Sequence, residues 1–152
     1  MTFTHEFLHS ETVAPLLAAL HKECFAPAWN EKTFSDLLAL PTTTTQLLCR
    51  DVTPIGFCLY QITHDEAEIL TLGILPETRG SSCGALLLER GQEYLSNRNV
   101  RRLLLEVSEK NIPARRLYEK VGFSEIARRK GYYRDETGRV DALIFEMTLH
   151  AR

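Results

Sequence analysis

From Ala67 to Val121 the chain changes its apolar repeat again and again, and this alternation restricts the fold more than any other feature. Ala67 to Leu75 is a mostly apolar run suited to a buried strand, and Pro76 stops it. Ser82 to Leu95 reads as a helix with Leu87, Gly91, Tyr94 and Leu95 on one face. Gly91 costs that helix about 1 kcal/mol relative to Ala. Arg101 to Val107 returns to a strand around Leu103-Leu104-Leu105. Asn111 then caps a helix that tolerates Pro113 in its first turn and ends at Gly122. Its apolar face is Ala114, Leu117, Tyr118 and Val121. A chain that alternates in this way builds a mixed α/β layer structure.

The flanking segments extend the pattern. Phe3 to His9 is a first strand, and Thr12 to Phe25 carries the helical stripe Val13, Leu16, Leu17, Leu20 and Cys24. Asn30 caps a short second helix through Leu40. Thr42 to Thr45 reads as a polar loop before a hairpin of Gln46–Arg50 and Ile55–Thr63, whose turn contains Asp51 and Pro54. Ile55, Phe57, Leu59 and Gln61 are expected on one face of the second strand. Phe123–Tyr133 and Val140–Leu149 flank the turn Asp135-Glu136-Thr137-Gly138. The expected order is β-α-α-β-β-β-α-β-α-β-β, with no repeat and no linker. The 152 residues, 44% of them hydrophobic, suit one domain spanning 1–152.

Charge narrows the function. Eighteen Lys and Arg against 20 Asp and Glu leave a net charge of −2, which argues against a dedicated nucleic-acid binder. No apolar run reaches the roughly 20 residues a bilayer span needs, so no membrane association is expected. The start Met1-Thr2-Phe3-Thr4-His5-Glu6 lacks the pattern of a signal peptide, and a cytoplasmic protein with reduced thiols is expected. Neither Cys24, Cys49, Cys58 and Cys83 nor the scattered histidines show metal-ligand spacing, so no metal is expected.

Three segments carry chemistry. Ile74 to Leu87 is a strand, a small-residue loop and a helix start, where free N–H groups suit a phosphate or simply form a turn. It contains neither a Walker lysine nor a dinucleotide fingerprint. In Arg102-Leu103-Leu104-Leu105-Glu106-Val107, alternation sets Glu106 opposite Leu105 and Val107. A carboxylate there is solvated, paired or used as a base. Tyr118, on an apolar helix face, needs a polar partner or a cavity for its hydroxyl.

In this order and spacing the three segments resemble the GNAT acyltransferases. The loop Arg79-Gly80-Ser81-Ser82-Cys83-Gly84 is similar to that superfamily's pyrophosphate loop. Asn111, Ala114, Leu117, Tyr118, Gly122 and Phe123 meet its helix signature in full. Within the superfamily the chain resembles the ribosomal-protein-alanine N-acetyltransferases. Cys24-Phe25, Trp29, Asp65-Glu66-Ala67, Leu105-Glu106-Val107, Arg129, Tyr132-Tyr133 and Gly138-Arg139-Val140-Asp141-Ala142 carry that likeness. The resemblance implies a single domain with a central mixed, mostly antiparallel sheet of about seven strands and about four flanking helices.

It further implies that acetyl-coenzyme A is the co-substrate, with no metal. Coenzyme contacts are expected at Leu72, Ile74, Arg79, Gly80, Ser81, Ser82, Cys83, Gly84, Asn111 and Arg116. Glu106 is expected as general base, Tyr118 as general acid on the thiolate, and a backbone N–H near Ile74 as donor to the thioester oxygen. Trp29, Tyr132 and Tyr133 are expected beside the acceptor, a peptide N-terminus of a ribosomal protein. A small-molecule amine acceptor and a degenerate coenzyme-binding module are the alternatives. Asp65, Glu66, Glu68 and Glu109 are either an attractant for a basic peptide or a solvated acidic set.

Two departures stand out. Ser82 occupies a glycine position of the loop, where a side chain disfavours φ > 0 and weaker coenzyme affinity is expected. Pro27-Ala28-Trp29 replaces a Pro-Trp pair on the substrate side.

Overall fold

The computed structural model describes residues 2–80 and 82–150. Strand β1 (Phe3–Leu8) is followed by helices α1 (Ala14–Cys24) and α2 (Glu31–Leu38). The meander β2 (Thr43–Arg50), β3 (Thr53–Thr63) and β4 (Glu66–Ile74) comes next. Then α3 (Cys83–Ser96), β5 (Arg102–Ser108), α4 (Ile112–Val121), β6 (Ser124–Asp135) and β7 (Gly138–Thr148) complete the chain. The strands form one seven-stranded sheet in the order β1-β2-β3-β4-β5-β7-β6. Only β4 and β5 pair in parallel among the described residues; the other neighbours are antiparallel.

Local chemistry sets the helix ends. Asn30 Oδ1 accepts from Thr33 N at 2.9 Å, and Asn111 Oδ1 accepts from Ala114 N at 3.3 Å, each satisfying an orphan donor of a first turn. Gly122, at φ 117°, supplies the left-handed cap of α4.

The sheet carries a core on each face. Leu17, Phe34, Leu38, Leu47, Phe57 and Leu59 pack under α1 and α2. Leu87, Leu95, Leu103, Leu105, Tyr118 and Phe145 pack under α3 and α4. The α1 stripe is rotated from expectation: Leu16 is exposed, whereas His21 is buried in its place.

Two further expectations are corrected. Thr42–Thr45 is not a loop. β2 begins at Thr43, and Thr43, Thr44 and Thr45 are buried and paired with Gln61, Tyr60 and Leu59 of β3. Threonine's β-branching fits a strand, and polarity alone gave the wrong expectation. Ile55 does not share a face with Phe57 and Leu59. The register slips between Leu48↔Gly56 and Cys49↔Pro54, leaving Ile55 as an extra residue that turns to the α3 side.

A second bulge positions the site. Leu59 pairs with Thr71 and Tyr60 with Ile69, so Leu70 is the extra residue of β4. The parallel ladder of β4 with β5 ends at Glu68↔Leu104, and continuing that register would place Leu70 opposite Glu106. Beyond it the two strands part. At the closed end, Arg102 of β5 joins Glu66 of β4 at 3.1 Å and also Glu146 of β7.

Candidate active site

The parting of β4 and β5 opens a cleft of about 1290 Å³ that passes through the sheet, from the α3–α4 face to the α1–α2 segment. On the α3 side its wall is the loop into that helix. Gly80 has φ 82° with no heavy atom within 4 Å of where a Cβ would stand. Ser82 sits at φ 63°, ψ 16°, the left-handed region expected to suit glycine, and makes no side-chain cap to α3. The first turn of α3 therefore faces the cleft without a side-chain cap from Ser82, an arrangement that suits an anion. Arg79 Nε donates to Ile74 O at 3.0 Å and ties the loop to the strand end. A Cβ on Gly84 would stand 2.9 Å from Leu117 Cδ2, so the glycine permits α3 to approach α4. Ser81 lies outside the described residues.

Glu106 and Tyr118 reach this cleft from opposite sides. Glu106 faces away from Leu105 and Val107, and its Oε1 is buried with no hydrogen bond. Arg129 Nη1 of β6 stands 3.6 Å from that oxygen, an ion pair just beyond hydrogen-bond range. Arg129 also lies over the Tyr132 ring at 3.9 Å. Tyr133 lines the cleft; burial first, then the Glu106 carboxylate, push its hydroxyl up to about 12. Tyr118, on α4, packs edge-on against Phe123 at 5.6 Å and lines the other wall. Burial raises its hydroxyl well above the usual tyrosine value, so it stays protonated at neutral pH.

Most of the expected residues meet here. Trp29, Leu72, Ile74, Cys83 and Asn111 all line the cleft. Tyr132 does not, being half exposed against Arg129, and Arg116 is exposed on α4 outside the cleft. The acidic set does not gather at the mouth: Glu66 is held by Arg102 at the closed end, and Glu109 binds Arg128 at 3.3 Å. Sequence reasoning missed His21 and Thr71, whose side chains meet in the cleft wall. The available signal was His21 standing one turn from Leu17 and Cys24 on the buried stripe. Among the described residues no cluster suited to a metal occurs, no helix is long and apolar enough to cross a membrane, and the cysteines form no disulfide.

A mostly antiparallel sheet split at one parallel pair, with an uncapped helix start facing the gap, defines an acetyltransferase fold. The chain belongs to the Acetyltransferase (GNAT) family, whose model matches residues 14–123. It is similar to the [ribosomal protein bS18]-alanine N-acetyltransferase of Escherichia coli (strain K12), at 35% identity over 88% of this chain and 91% of that one. It is likewise similar to the enzyme of that name from Salmonella typhimurium, at 31% over 92% and 94%. The crystal structure of the ribosomal-protein-S18-alanine N-acetyltransferase from Escherichia coli superposes with a TM-score of 0.90, at 29% identity over 99% of this chain and 96% of that one. Enzymes of this family use acetyl-coenzyme A. The residues present fit that co-substrate: the open α3 N-terminus suits its pyrophosphate, and the unpaired stretch of β4 suits an extended amide chain.

Proposed function

We propose that this chain is an N-terminal protein acetyltransferase, moving an acetyl group from acetyl-coenzyme A to a peptide α-amine by direct attack in a ternary complex. The carrying observation is the through-sheet cleft, with the Glu106 carboxylate, one oxygen of it without a hydrogen bond, on the Tyr133 and Trp29 side and the protonated Tyr118 on the other wall. The coenzyme supplies an acetyl thioester. Gly80, Ser81, Ser82, Cys83 and Gly84 hold its pyrophosphate, Leu72 and Ile74 lie along its amide chain, and Asn111 fixes the start of α4 beside it. Arg116, outside the cleft, is reserved for parts of the coenzyme that reach solvent.

Glu106 accepts the proton lost by the attacking amine. A β4 backbone N–H near Ile74 donates to the thioester oxygen as negative charge develops there. Tyr118, which burial keeps protonated, gives its proton to the departing sulfur. An α-amine of pKa about 8 is roughly 10% neutral at pH 7, whereas a lysine is under roughly 0.1% neutral. A carboxylate base is therefore adequate for the α-amine. Trp29, Tyr132 and Tyr133 flank the acceptor.

The bS18-alanine acceptor named for relatives at 31–35% identity makes a ribosomal-protein N-terminal alanine, met in the cytoplasm, the acceptor proposed here. The test is a competition panel: a bS18 N-terminal peptide, spermidine and free amino acids, each supplied with acetyl-coenzyme A. Preferential acetylation of the peptide supports the proposal; a higher kcat/KM on any small amine overturns it.

A further inference from the structure

We infer that His21 is a positioning residue, clamping the Trp29 segment to β4 and so fixing the acceptor-side wall of the cleft. The inference rests on the proposed function only in taking that wall as the acceptor's.

His21 is 3% exposed, on α1, and both of its ring nitrogens are used. Nδ1 lies 3.1 Å from the backbone N of Trp29. A backbone N–H can only donate, so Nδ1 is the unprotonated acceptor and the hydrogen sits on Nε2. Nε2 then donates to Thr71 Oγ1 at 3.1 Å. Burial lowers the pKa of the ring, which favours this neutral tautomer at pH 7.

Packing holds the ring in place. Phe25 stacks on it at 4.3 Å and Trp29 at 5.1 Å, while Phe34 meets it edge-on at 5.4 Å. A second tie, Cys24 Sγ to Ile74 O at 3.5 Å, joins α1 to β4 two residues beyond Gly73's neighbour Leu72. Between the two ties, a Cβ on Gly73 would collide with Phe57 and crowd Cys24 Sγ.

The position of the clamp gives it a functional consequence. Thr71 directly follows the Leu70 bulge, the point on β4 that would face Glu106. His21, Trp29, Thr71 and Glu106 all line the one cleft. One imidazole thus sets the distance between the aromatic wall and the strand that faces Glu106. A core histidine without that role would not need to join a cleft-lining loop to a cleft-lining strand.

The test uses the full chain and three substitutions. Trp29 is the single tryptophan, so intrinsic fluorescence reports the clamped segment directly. His21→Leu keeps apolar bulk and removes both bonds. His21→Asn restores an acceptor near the Nδ1 position. Thr71→Val cuts the β4 leg at constant volume and serves if His21→Leu does not fold.

Expected for His21→Leu is an acceptor KM raised about tenfold, the consequence of an orphaned Trp29 N–H and a freed wall, with kcat and acetyl-coenzyme A KM within about threefold and Trp29 emission shifted to the red. His21→Asn returns most of the acceptor KM, and Thr71→Val raises it more weakly than His21→Leu. Unchanged acceptor KM and emission in His21→Leu overturn the inference, as do equal losses in kcat and both KM values that His21→Asn fails to rescue. If the unsubstituted protein releases no thiol with peptide, the proposed function fails by itself. The clamp is then decided by Trp29 emission and amide exchange, and no change on His21→Leu overturns it.

Discussion

At the scale of single residues the site joins two tensions. Glu106 keeps a buried oxygen without a hydrogen bond, 3.6 Å from Arg129 Nη1, a costly arrangement in a protein interior. Glu106→Gln is expected to lower kcat by about a hundredfold or more while acetyl-coenzyme A binds as before. Thiol release beside calorimetric titration checks this, and lost binding would instead make Glu106 structural. Ser82 holds the other tension, a left-handed backbone under a side chain. Ser82→Gly is expected to raise stability by about 1 kcal/mol and to tighten the coenzyme. Denaturant midpoint and Kd read the two effects, and a looser coenzyme would show that the serine contributes more than it strains. Both residues were legible, because a strand's alternation and a loop's demand for φ > 0 are local properties. His21 was not, since the groups that bind its nitrogens lie 8 and 50 positions away.

Among the elements, α3 shows how tertiary context reverses a propensity. Its Gly91 is unfavourable for a helix, and replacing it with Ala should add about 1 kcal/mol on propensity alone. Yet a Cβ there would fall inside the van der Waals shell of Tyr60 Oη. That hydroxyl donates to Gln46 Oε1 at 2.7 Å, and Gln46 Nε2 donates to Leu87 O at 2.9 Å, so the tyrosine cannot retreat without breaking a buried network. Overpacking wins: Gly91→Ala is expected to destabilise by about 1–3 kcal/mol. A rise in the urea midpoint would contradict this packing account. The same split separates what could be read of the elements. Caps at Asn30 and Asn111 and the stop at Gly122 are written in neighbouring residues, and the element order follows from periodicity. The bulges at Ile55 and Leu70 are set by pairing with other strands and leave no local mark. The Leu70 bulge, with the end of the β4–β5 ladder, opens the cleft. The threonine strand was hidden for a related reason: the pairing that makes it a strand comes from β3, joined by β1 from Thr45 onward.

For the whole molecule, one buried and one half-buried histidine, His21 and His5, tie stability to pH. His5 and His21 both titrate below their unfolded value of 6.5, His5 through burial and then Arg90, His21 through burial. Between the folded values and 6.5 the unfolded chain carries protons that the folded chain lacks. Stability therefore rises with pH across that window and is lost as pH falls through it. Asp135, held at about 2 by Thr137 and Lys110, acts only in stronger acid. The urea midpoint is expected to drop between about pH 7.5 and about pH 5.5, and a flat profile would contradict the burial of these rings. The sheet supplies the frame of the site in the same global sense: pinned at Arg102 and parted at Glu68↔Leu104, it brings Glu106 and Tyr118 into one cleft from opposite faces. Acetyl transfer to a peptide α-amine in this cleft is the reaction proposed for the chain. The most direct test is thiol release from acetyl-coenzyme A with a short peptide beginning Ala-Arg, beside its N-terminally blocked twin. Release is expected with the free α-amine alone. Equal release with the blocked twin, or none with either while acetyl-coenzyme A still binds, would contradict it.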